Sequence, residues 1–197
     1  MKKIIREKGF TLVELMVVVA IIGILSAMVS LNYRSGQREL ALQRAANKLA
    51  QDIRVMQERA MAVERVAGCF KATGEPKHNT GANAYKYGFG IHIEKNSDVY
   101  TLFADCLGDG AYNHSTDEDF DLDSPDLNVV EVGGLIGSHN PSKIDIVFTP
   151  PDPTVSLWAT GTPSAYEDST TIILRLKDDN TKTKTISVNK VGLVEIQ

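Results

Sequence analysis

The chain has 197 residues, 43% of them hydrophobic and 23% charged, and a formal net charge of −4. That length suits one globular domain plus an extra segment and excludes two large domains. The first nine residues carry Lys2, Lys3, Arg6 and Lys8 against Glu7, a sum of +3; taking +3 from −4 leaves −7 for the remainder, which disfavours general binding to phosphate backbones.

The first element follows directly. Phe10 to Tyr33 is a run of 24 residues with one charge, Glu14. About 20 mainly apolar residues cross a bilayer as a helix, so the run is long enough to span. It is too long for the ~7–15-residue apolar core of an ordinary secretory signal, although conventional signal-peptidase cleavage near Ser26-Ala27 is an alternative. Lys and Arg stay on the cytoplasmic side, which puts the N-terminus inside and everything after Tyr33 outside. Glu14 is the odd residue. A carboxylate at the membrane centre costs about 2.5–3.5 kcal/mol on insertion scales, less in the headgroup zone. No Lys or Arg lies between Phe10 and Tyr33 to neutralise it. A new amine at Phe10, made by cutting after Gly9, would supply the cation from another copy or subunit.

Gly9-Phe10-Thr11-Leu12-Val13-Glu14, after a short basic leader and before an apolar run, resembles the N-terminal signal of type IV prepilins and pseudopilins. The resemblance implies a leader over 1–9, cleavage between Gly9 and Phe10 by a prepilin peptidase, N-methylation of Phe10, and Glu14 as the assembly carboxylate. It also implies a transmembrane and filament-core helix over 10–33 and an extracytoplasmic domain over 34–197. The implied location is the bacterial inner membrane, single-pass. The implied partners are other pilin or pseudopilin subunits, an inner-membrane assembly platform and the membrane. One departure is that no proline lies between Phe10 and Lys71, so the helix is expected to run on without a proline kink.

The pattern then turns amphipathic. Leu42, Ala45, Ala46, Leu49, Ile53, Met56, Ala60 and Val63 step by three and four, which marks one helical face over 38–67. The charges are mostly off that face, Ser35-Gly36 is a soft spot, and Gly68 is the expected stop.

Strands follow. Tyr85, Tyr87, Phe89, Ile91 and Ile93 alternate with smaller or polar residues, the period of a half-buried strand. Asn96-Ser97-Asp98 is a turn, with Val99 to Ala104 returning. Further strands are expected at Val129–Val132, Ile144–Phe148, Val155–Trp158, Thr171–Leu176, Thr185–Val188 and Val191–Ile196. The short gaps favour antiparallel hairpins. The expected fold class is α+β, a long N-terminal helix laid on an antiparallel β-sheet in pilin-like fashion.

Leu49 to Arg54, Glu58 to Ala60, Tyr87-Gly88, Ile146 to Pro151 and Gly192 to Ile196 are similar to the GspH/FimT family of minor pilins and pseudopilins. That resemblance implies a low-abundance subunit of a type IV pilus or type II secretion pseudopilus. A DNA-binding or adhesive tip module is the alternative, with Lys177, Lys182, Lys184 and Lys190 as its local basic patch.

Cys69 and Cys106 permit one disulfide in an exported domain or two separate buried thiols. Asp105 to Asp126 is acid-rich. Asp105 and Asp109 begin a stretch that resembles a calcium loop in part, but two of the positions an EF-hand requires are Leu107 and Thr116. A solvated loop is the simpler reading, and no cofactor is expected. His78, His92, His114 and His139 form no zinc spacing, and Gly137-Ser138-His139 is no nucleophile elbow. His92 reads as a sheet-surface residue and Trp158 as a core or strand-packing anchor. No enzyme activity is expected.

Overall fold

The structure is a computed structural model that describes residues 9–71, 73–75, 77, 87–120, 129–137, 141–150, 154–160 and 165–197, without the side chains of 29–35, 154, 165 and 166. It divides into two compact units, Met1–Glu39 and Leu40–Gln197.

One helix, α1, covers Leu12–Met61. With no proline to remove an N–H, the backbone remains helical through Ser35-Gly36. It ends at Met61, short of the expected residue 67. The reason is a cap that a sequence pattern hides. Val63 takes a left-handed conformation, φ 49°. The Val63 N–H donates to the Ala60 carbonyl at 3.0 Å and the Glu64 N–H to the Arg59 carbonyl at 3.2 Å. These two bonds make a Schellman cap, a position usually held by glycine. Val63 is therefore exposed rather than part of the buried stripe. Gly68 is not the stop. It lies in a 3-10 turn, Ala67–Cys69, where a Cβ would sit 2.1 Å from the Glu118 carboxylate.

Among the described residues, ten strands follow: β1 Gly88–Glu94, β2 Tyr100–Asp105, β3 Glu118–Phe120, β4 Val130–Ile136, β5 Lys143–Thr149, β6 Thr154–Thr160, β7 Ala165–Tyr166, β8 Ser169–Leu176, β9 Thr183–Asn189 and β10 Val194–Ile196. They form two sheets, not one: six strands in the order β3-β2-β1-β5-β6-β7 and four in the order β10-β9-β8-β4. All the pairings are antiparallel. Alternation marks a strand but carries no information about its neighbour, so the split was not legible. The β1–β2 turn bridges the sheets. Asn96 N–H donates to the Val132 carbonyl at 2.7 Å, and Val132 N–H to the Ser97 carbonyl at 2.8 Å.

β3 and β7 were not anticipated, being too short to show a period. β10 begins at Val194 rather than Val191. Gly192 turns with φ +83°, and the Asn189 side chain accepts from the Val191 and Leu193 N–H groups at 3.0 Å each. Tyr85 and Pro151 lie outside the described residues.

The core is one cluster in which Leu42, Ala46, Leu49, Ile53 and Met56 of α1 meet Phe89, Ile91 and Ile146 of one sheet and Ile172, Leu174 and Ile186 of the other. Burial of such a stripe, rather than helix propensity, supplies most of a helix's stability in a folded domain. One charge breaks the pattern. Asp52 is buried at 3% exposure, held by Lys48 at 2.5 Å and the Tyr100 hydroxyl at 2.6 Å. A buried carboxylate needs such partners. Gly90 lets the Phe103 ring lie against the sheet's outer face, since a Cβ there would be 2.8 Å from both that ring and the Ile146 carbonyl.

Candidate functional site

The start of α1 is built from Thr11 and Glu14. A helix leaves its first N–H groups without partners. Thr11 Oγ1 accepts the Glu14 N–H at 3.2 Å. Glu14 Oε2 accepts the Thr11 N–H and the Thr11 hydroxyl, each at 3.1 Å. This is a capping box, in which Ser or Thr and an acid three residues on satisfy each other's backbone. Sequence reasoning missed it, although Thr-x-x-Glu before an apolar run is its signature. Glu14 thus has a use inside its own chain, and need of a foreign amine is not the sole account of an acid here. Gly9 and Phe10 lie before the helix with no regular structure, and both are exposed.

Beyond the cap, the apolar side chains have no cover among the described residues. Val13, Met16, Val19, Ile22 and Leu25 are all more than half exposed, Val13 at 68% and Ile22 at 56%. A soluble monomer rarely exposes so continuous an apolar surface. Among the described residues, no helix is long and apolar enough to cross a membrane. The described side chains of this run stop at Met28, whereas the apolar sequence continues to Tyr33.

The second candidate region is the loop after β2. Cys69 and Cys106 are joined by a disulfide with Cα atoms 5.1 Å apart, tying the loop to the segment that follows α1. Asp105 is fully buried. Its carboxylate accepts the Gly108 N–H at 2.6 Å and the Gly110 N–H at 2.9 Å. Asp117 accepts the Cys106 N–H at 3.0 Å and the Asn113 N–H at 2.7 Å. Two acids of the supposed calcium stretch therefore serve as turn scaffolds. Burial pushes Asp105 up to about 6 and Asp117 up to about 7 against the pull of those N–H groups. Asp109 caps its own turn through the Ala111 N–H at 3.1 Å. Among the described residues, no group of three His, Cys, Asp or Glu is placed to hold a metal. Asp121, Asp123 and Asp126 lie outside them, as do His78 and His139.

His92 is not a surface residue. Its side chain is 12% exposed. Nδ1 lies 2.5 Å from Asp145 Oδ1 and Nε2 lies 3.2 Å from Glu94 Oε1. Lys143 pairs with the same Glu94 oxygen. The loop lies over this cluster. The Tyr112 ring centroid is 4.5 Å from that of His92 and 4.9 Å from that of Phe103. Trp158 is directly opposite Asp145 in the β5–β6 register and shares this outer face, so it is not in the core between helix and sheets. With both ring nitrogens on carboxylates, His92 has none left to act as a general base. A groove of about 400 Å³ between α1 and β3 places Lys48, Asp52, Arg59 and Asp119 together. Lys48 is spent on Asp52, and the Arg59 guanidinium lies 4.7 Å over the Phe120 ring.

The lysines near the C-terminus are partly neutralised. Lys177 lies 2.9 Å from Asp98 and Lys190 lies 2.6 Å from Asp168.

A protein-family model described as the prokaryotic N-terminal methylation motif matches residues 5–30. No curated protein and no solved structure matches the chain. The match ends within α1 and says nothing of the sheets. The motif, together with the α+β fold, supports a type IV pilin-like subunit, and it implies processing by a prepilin peptidase and assembly with other pilin subunits.

Proposed function

We propose that the chain is a minor subunit of a type IV pilus or a type II secretion pseudopilus, and a structural part rather than an enzyme. Its leader, 1–9, is cut off between Gly9 and Phe10, and Phe10 is methylated. The helix over 10–33 rests in the inner membrane as a single pass, N-terminus in the cytoplasm, with residues 34–197 outside. An assembly platform then draws it into a filament, where Glu14 meets the N-terminal amine of a neighbour.

The observation that carries this reading is the coincidence of the matched motif with an uncovered apolar helix face between Leu12 and Met28. Lipid covers such a face before assembly, and neighbouring helices cover it afterwards. The pairing of Lys177 and Lys190 with carboxylates and the acidic balance of the body favour this reading over nucleic-acid binding. Mass spectrometry of the native protein's N-terminus tests it. The expected mass is that of a chain starting at Phe10 with one added methyl group. A mature protein that still begins at Met1, or begins beyond Glu14, overturns the reading.

A further inference from the structure

The cluster under the disulfide-tied loop carries an inference that does not depend on how the chain assembles. His92 sits between two carboxylates, with Nδ1 2.5 Å from Asp145 and Nε2 3.2 Å from Glu94. An ionised carboxylate only accepts hydrogen bonds, and a neutral imidazole has one donor and one acceptor. Both contacts are satisfied together only by the doubly protonated ring. Loss of one proton sets a lone pair against a carboxylate, in a place where the Asp145 side chain is only 5% exposed. Asp145 is also the loop's anchor, because its other oxygen accepts the Tyr112 N–H at 3.0 Å. The Tyr112 ring lies on the His92 ring.

We propose that the His92 imidazolium is a proton-operated latch, holding the loop Cys106–Asp117 onto the outer face of the six-stranded sheet through Asp145, so that the loop is tight in acid and loosens as the medium turns alkaline.

The charges around the ring agree with this. β1 supplies Glu94, and β5 supplies Asp145 and Lys143, the latter paired with Glu94. The neighbouring strand β2 places the uncharged Thr101 beside His92, and Trp158 of β6 lies beside Asp145. From the loop comes Tyr112, whose hydroxyl reaches Asp119 at 3.2 Å and His114 at 3.1 Å. Lys143 and protonated His92 balance Glu94 and Asp145; neutral His92 leaves one negative charge in excess. Burial alone would lower the His92 value. The hydrogen bond and charge of Asp145, then those of Glu94, outweigh it and hold the value above 6.5. A raised folded-state value means the stabilisation is complete below 6.5 and is lost as pH climbs through the folded value. Asp105 and Asp117 are raised too, to about 6 and about 7, and act in the same sense over a lower range, roughly from 4 to 7.

Hydrogen exchange on the full chain in detergent, read by mass spectrometry at pH 6 and pH 8.5 and corrected for intrinsic rates, tests the latch. The peptide holding Tyr112 is expected to lose protection several-fold at the higher pH, as the latch is lost. His92→Gln carries donors at only one end of its amide and does not titrate, so above pH 7 its protection should be flat. Because that variant can fail to fold, the imidazole of the wild-type chain is also titrated by NMR. Equal protection at both pH values, an unchanged pH response in H92Q, or His92 titrating at or below 6.5 each overturns the proposal.

Discussion

The two units of this chain use the same kind of residue in opposite ways. In Leu40–Gln197, Leu49, Ile53 and Met56 of α1 are at most 1% exposed, because two sheets grow out of the same chain to meet them. In Met1–Glu39 the helix is more apolar, yet Val13, Ile22 and Leu25 remain more than half exposed. Hydrophobicity is thus answered internally in one unit and left for an external solvent or partner in the other. Two acids of α1, Asp52 and Glu14, differ in the same manner. Asp52 is buried and held both by Lys48 one helical turn away and by the Tyr100 hydroxyl from far along the sequence. Among the described residues, Glu14 is held by Thr11, three residues away. A local bond of that kind leaves the carboxylate free to take a further partner.

Glu14 offers the sharpest way to break this contrast. Glu14→Ala removes the charge and the side-chain half of the capping box, whereas Glu14→Gln keeps the capping-box geometry and removes the charge. If the acid serves assembly, both variants remain in the membrane fraction and both lose incorporation into filaments by about tenfold or more, the scale of a lost charge-assisted contact. Wild-type incorporation of the glutamine variant would show that only the cap matters.

On the other side of the comparison, replacing Cys69 and Cys106 together with serine should weaken only Leu40–Gln197. A closed loop of separation 37 corresponds to about 4 kcal/mol in the chain-entropy account, and measured losses run from about 2 to 5. Chemical denaturation read on the sheets would detect it, with membrane insertion unchanged. A smaller, opposite effect is expected at the end of α1. Val63 carries a left-handed backbone at a cost of about 1–2 kcal/mol for an L-residue, and glycine gives back part of that through unfolded-state entropy. Val63→Gly should therefore raise stability by about 0.5–1 kcal/mol. A drop in the melting midpoint would mean that the Val63 side chain makes a contact worth more than the strain.

Much of this was readable before any fold was known. The apolar run, the basic residues before it and Gly9-Phe10 through Glu14 mark the start of the chain, since each acts through its own composition or its nearest neighbours. The helical stripe from Leu42 to Ala60 and most strands were readable for the same reason: a period of 3.6 or 2 is a property of one segment. Even the Thr11–Glu14 box was there to be read, as a spacing of three.

The rest depends on residues distant in sequence and close in space. Which strands share a sheet rests on pairings between distant segments, and why Gly68 and Gly90 must lack a Cβ follows from contacts with Glu118, Phe103 and the Ile146 carbonyl. His92 shows the limit most clearly. By alternation it belongs on an outer sheet face, and it is there. Only the return of the loop over that face, with Asp145 brought in from another strand and Tyr112 from the loop, turns an exposed position into a buried charge cluster. Sequence determines what each segment can do alone. Burial and pairing are properties of two segments at once, so the tertiary structure decides them.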